Sequence, residues 1–140
     1  MKVRISAVVA LALAGFALGC GSSTNGDDKA EEAEHSTTPQ QAIAEIGKVR
    51  SGLAEALATY KAGDATAADE QVGDTYLKHF ELVEGPLEEV DHELKEQLED
   101  TIREELRDQI RADAGKAQIQ RLVGEIDAKL DQAEEALSAS

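Results

Sequence analysis

The chain has 140 residues, with 14 Lys or Arg against 29 Asp or Glu and a formal net charge of −15 at pH 7. Such a surface repels nucleic acid and anionic lipid headgroups and attracts cations and basic partners. A single cysteine excludes an intramolecular disulfide and a cysteine-built zinc centre.

In chain order, Lys2 and Arg4 precede the apolar run VVALALAGFALGC, which is too short for a comfortable membrane span. A basic start and a short apolar core are the pattern of a secretory signal peptide. The run ends at Ala17-Leu18-Gly19-Cys20, which resembles a bacterial lipobox, although the Leu usual three places before the cysteine is here Ala17, with Leu18 one place later. In lipoproteins the small residue before the cysteine permits cleavage, and the cysteine becomes the lipidated first residue. Residues 1–19 are therefore expected to be a lipoprotein signal peptide and Cys20 the lipidation site. The protein would then be extracytoplasmic, in the cell envelope, and attached to a membrane through its N-terminal lipid. The alternative is an ordinary signal peptide with a leftover thiol. Residues 20–38 are small, polar and without apolar periodicity, and read as a flexible tether.

Residues 39–140 form the expected folded domain, large enough for one modest core. In the first segment Ile46, Val49, Leu53, Ala56 or Leu57, and Tyr60 fall three and four apart, with Thr38 as cap, Pro39 in the first turn and Gly63-Asp64 as the stop. The second begins near Ala65, and its stripe is Ala68, Val72, Tyr76, Phe80, Val83 and Leu87. Gly85-Pro86 interrupts that stripe without ending it, so a kink near Pro86 is expected. The third follows Asp91 as cap and places Leu94, Leu98, Ile102, Leu106 and Ile110 strictly four apart, ending at Gly115. Each step of four turns the face by about 40°, so this stripe should drift around a curved helix or one that changes neighbours. The fourth runs from Lys116 to about Ser138 with Ile119, Leu122 or Val123, Ile126, Leu130, Ala133 and Leu137 inward. No strand alternation occurs. The spacing predicts an all-α, antiparallel up-down four-helix bundle, with an extended coiled-coil assembly as the rival.

Most chemistries lack their parts. There is no Gly-rich phosphate loop, no H-E-x-x-H and no nucleophile paired with His79 or His92, so no enzyme and no catalytic residue are expected. If the second helix continues through Pro86, then Glu81, Glu84, Glu88, Asp91 and His92 fall within about 100° of one another around its axis. Such a ridge of oxygens with one imidazole is the candidate metal site, suited to a hard cation. Glu84 lies near the apolar stripe and should be partly buried. Glu89-x-x-His92 has the spacing of ferritin-like di-iron motifs, but those centres need two such motifs, and here there is one. The competing reading is an acidic face in water, as for the neighbouring ridge Glu89, Glu93, Glu96 and Asp100.

The run Tyr60-Lys61-Ala62-Gly63-Asp64, then Tyr76, Phe80-Glu81, Val83-Glu84, Leu87, Asp91, Leu94, Leu98-Glu99, Leu106 and Ile110, resembles the extracytoplasmic helical domain of the bacterial high-affinity iron permease family. The resemblance covers about Leu57 to Leu137. It implies interest in Tyr76, Phe80, Glu81, Glu84, Asp91 and Glu99, with iron or another hard cation as ligand and an iron permease or other envelope protein as partner. The family's R-E-x-x-E transport signature is absent, since Arg103-Glu104-Glu105-Leu106-Arg107 ends in Arg. Two functions follow as expectations. One is an accessory of iron uptake that binds a hard cation without being an enzyme. The other is a structural module that contacts an envelope partner without metal.

Overall fold

The computed structural model describes residues 37–140, so the expected signal peptide, Cys20 and most of the tether lie outside the described residues. Among the described residues the protein is all-helical, a bundle of four helices with no strand. Helix α1 spans Pro39–Ala62. A capping box starts it: Gln41 donates its backbone N–H to Thr38 Oγ1 at 3.2 Å, and Thr38 donates its own to Gln41 Oε1 at 2.8 Å. Gly63 ends it in the left-handed region, φ 104°, where a side chain would be strained.

Helix α2 spans 65–90. Asp64 caps it by accepting from Ala67 N–H at 3.0 Å. It comprises Ala65–Thr75, a wide π-helical turn Tyr76–Phe80, and Glu81–Val90, with Pro86 inside the last stretch. One extended residue, Asp91 (φ −155°, ψ 82°), separates it from α3 and caps that helix by accepting from Leu94 N–H at 3.0 Å. Helix α3 spans 92–111 and also contains a π-helical turn, Thr101–Leu106. Helix α4 is Lys116–Ser138. The pattern places the end of the third helix at Gly115. The structure ends it at Arg111, where Asp113 turns left-handed (φ 52°), and Gly115 instead precedes the first turn of α4.

The π-helical turn of α3 explains a stripe that an ideal α-helix could not keep buried. Leu94, Leu98, Ile102, Leu106 and Ile110 are all buried, although α-helical geometry would carry the last of them well round the axis. A turn closed by i→i+5 bonds holds more residues, so side chains four apart stay nearer one face. Thr75 and Thr101 stand at the start of these turns, and each hydroxyl donates to the carbonyl four residues back, at 2.7 and 2.6 Å. That bond competes with the helical ladder and favours local widening. In α3 the expected drift is thus replaced by one local insertion, and α2 carries a second turn of the same kind.

The helices meet through buried apolar side chains, among them Ile46, Leu53, Phe80, Leu87, Ile102 and Ile126. Polar pairs fix which residues face one another. Arg50 of α1 bonds Asp127 and Asp131 of α4, at 3.1 and 2.7 Å. Arg107 of α3 forks onto Asp69 of α2 at 2.8 and 3.2 Å. The Tyr60 hydroxyl donates to the carbonyl of Ala114, tying α1 to the last turn before α4.

At Gly52 α1 packs tightly on α2, and an added Cβ would come within 2.2 Å of the Thr75 hydroxyl. At Gly47, five residues earlier, an added Cβ meets nothing within 4 Å. Alanine gains about 1 kcal/mol over glycine in a helix interior, whereas overpacking costs about 1–3 kcal/mol. Urea denaturation should therefore show Gly47→Ala raising stability by about 1 kcal/mol and Gly52→Ala lowering it.

Candidate functional site

The α2–α3 junction concentrates the titratable groups. Because one residue separates the helices, Glu88 in the last turn of α2 and His92 at the start of α3 stand side by side, with His92 Nδ1 2.7 Å from Glu88 Oε1. Glu96 follows one turn later. One ligand-capable atom from each of Glu88, His92 and Glu96 lies within 4.8 Å of the others, and all three residues are exposed. Two carboxylates and an imidazole form a mixed oxygen–nitrogen set, which suits Fe(II), Zn(II) or Mn(II) better than Ca²⁺ or Mg²⁺.

A lysine lies in the same cluster. The Lys95 side chain is only 14 % exposed, and its Nζ reaches Glu88 Oε2 at 3.3 Å, Glu99 Oε2 at 3.4 Å and the carboxylate of Glu96. The charges tune one another. The hydrogen bond from His92, then Lys95, holds the Glu88 carboxyl below the usual carboxylate range, and Lys95 does the same for Glu96. Bonding to Glu88 raises His92 above its ordinary value, and the surrounding carboxylates raise Lys95.

Other residues from the sequence reading have different partners. The Asp91 carboxylate is engaged by Leu94 N–H as the helix cap. Glu81 is exposed and borders two surface clefts, one with Tyr76 and Arg103 and one with Thr38 and Pro86. His79 pairs with Glu45 of α1, Nδ1 to Oε2 at 2.7 Å. Glu84 is half-buried, as its place beside the stripe implies, and accepts a hydrogen bond from the Tyr76 hydroxyl. Arg103 lies over the Tyr76 ring, 5.9 Å from its centroid, and donates to Glu99 at 3.0 Å. Of the five expected ligands, then, Glu88 and His92 come together, while Glu84 belongs to a phenol–carboxylate pair within α2. The spacing 88, 92, 96 would have found Glu96. Lys95 carried no such signal.

No helix among the described residues is long and apolar enough to cross a membrane. Comparison with family models, curated proteins and solved structures found no match to this chain.

Burial raises the Glu84 carboxyl above its ordinary value; the Tyr76 bond opposes this, and the nearby charge of Glu99 adds to it. The folded state therefore binds this proton more tightly than the unfolded chain, and this residue's contribution to stability falls as pH rises through the raised pKa. Glu84→Gln keeps an acceptor for Tyr76 and removes the charge. It should unfold at higher urea than the parent at pH 7, and the difference should shrink as the pH falls through the raised pKa and be gone below the ordinary value of about 4.5.

Proposed function

We propose that the chain is a lipid-anchored, extracytoplasmic, non-enzymatic protein that binds a divalent cation at Glu88, His92 and Glu96. Ferrous iron is the ligand that joins this donor set to the sequence resemblance, and the role is that of an accessory in iron uptake. The observation that carries the reading is the convergence of three ligand-capable side chains within 4.8 Å at one helix junction. The basic start, the apolar run and Cys20 support anchoring. The net charge of −15 supports attraction of cations toward the surface.

In the same reading the bundle is antiparallel and up-down, with a bend at Pro86. Paired residues run in opposite senses along neighbouring helices: Glu45 with His79 and Gly52 with Thr75, then Asp69 with Arg107 and Tyr76 with Arg103. Pro86 withholds a donor from the Leu82 carbonyl, which supports a bend. A second reading, contact with an envelope partner, is favoured by the exposed apolar side chains Leu77, Leu82 and Val90 on α2.

Calorimetric titration of residues 37–140 with Fe(II), Zn(II), Mn(II) and Ca²⁺ tests the proposal. Stoichiometric binding of the first three ions is expected, with Ca²⁺ weakest. His92→Ala should weaken binding at least about tenfold. A metal needs the neutral imidazole, and Glu88 favours the charged one, so affinity should climb from about pH 6 to about pH 8 with proton release. Binding only at millimolar ion, or none, would leave the partner-binding reading.

A further inference from the structure

The seam between α1 and α4 is only partly closed and holds a groove of about 430 Å³, within the size range of real binding clefts. Its floor is apolar: Leu53 and Leu130 are buried, and Leu57 and Val123 half-buried. Ala54 on the α1 wall and Gly124 on the α4 wall leave it open. Gly124 stands in the interior of a helix, where alanine is the better helix former. Its φ is not positive, and a Cβ built on it meets nothing within 4 Å, so neither backbone conformation nor close packing calls for a glycine there. What the missing side chain does leave is the mouth of the groove. At one end Arg50 is shared by three carboxylates, Asp127 at 3.1 Å, Asp131 at 2.7 Å and Glu134 at 3.4 Å. One guanidinium cannot neutralise three carboxylates, so an apolar floor ends at a negatively charged rim.

We propose that this groove receives a basic amphipathic helix of a partner protein, with its apolar side chains on the floor and its lysines or arginines toward Asp127, Asp131 and Glu134. A trough between two helices is a form in which such a helix is held, through apolar anchors at i, i+3, i+4 and i+7. Charge selects this occupant over the others. A second copy of the chain brings a net charge of −15 against −15 and is repelled. A neutral lipid would cover the floor and leave the carboxylates unanswered. A basic helix answers both, and the opposite net charges speed the encounter. The groove lies on different helices from the α2–α3 junction, so it stands whether or not that junction holds a metal.

Fluorescence anisotropy of a labelled synthetic peptide against the purified full chain, in chelator, tests this. The peptide is a helix of about four turns, with leucine at i, i+3, i+4 and i+7 and lysine elsewhere. It should bind the parent, and added salt should weaken the binding. Gly124→Leu fills the mouth without changing the charge and should weaken binding about tenfold or more. Ala54→Leu fills the opposite wall and decides if Gly124→Leu is not helical by circular dichroism. Asp127→Asn combined with Asp131→Asn should weaken binding severalfold and flatten its salt dependence. A peptide with glutamine for leucine should bind far more weakly, as should one with glutamate for lysine. Failure of the leucine–lysine peptide to bind, or equal affinity for the parent and the deciding groove variant, would overturn the proposal. Equal binding of the glutamate peptide, or a dimer of the parent that Gly124→Leu dissolves in sedimentation velocity, would overturn the choice of a basic helix as occupant.

Discussion

One residue, Asp91, separates the two central helices, and the chemistry of the molecule follows from that economy. Its extended backbone ends α2 at Val90, and its carboxylate caps α3 through Leu94 N–H. A longer loop would let Glu88 and His92 drift apart. A single-residue junction instead fixes them at 2.7 Å and brings the next turn, with Lys95 and Glu96, onto the same patch. The apolar residues flanking the junction hold it in place, since Leu87 and Leu94 are both buried and neither helix can rotate without exposing one of them.

The wide turns in α2 and α3 serve the same end. They keep the four-spaced stripes inward and set Tyr76 against Arg103 across the two helices. From the junction inward, Lys95, Glu99, Arg103, Tyr76 and Glu84 form a continuous series of polar contacts along the α2–α3 seam. Such a seam fixes register through directional bonds, which an apolar stripe alone specifies loosely. It also places the half-buried Glu84 in a structural role.

Much of the fold was legible in the sequence because it depends on local chemistry. Thr38, Asp64 and Asp91 sit where caps are needed, Gly63 where a left-handed residue is needed, and the inward residues follow helical spacing. What escaped were features that depend on neighbours. The wide turns answer the competition between a four-residue repeat and a 3.6-residue helix, which no single position reveals. The left-handed Asp113 closed α3 before the glycine that a sequence reading prefers. At the junction, Glu88 and His92 stood in the acidic ridge from the outset, but Glu96 read as one member of a solvated face. Nothing in the spacing separated Lys95 from the other surface lysines, because its significance lies in the three carboxylates that surround it.

The central claim is that His92 is a metal ligand, and its ring nitrogens report on that directly. In ¹⁵N NMR of the imidazoles during stoichiometric Zn(II) addition, the His92 resonances should move to metal-bound values while those of His79, paired with Glu45, stay unchanged. Unmoved His92 resonances, or a response confined to His79, would contradict the claim.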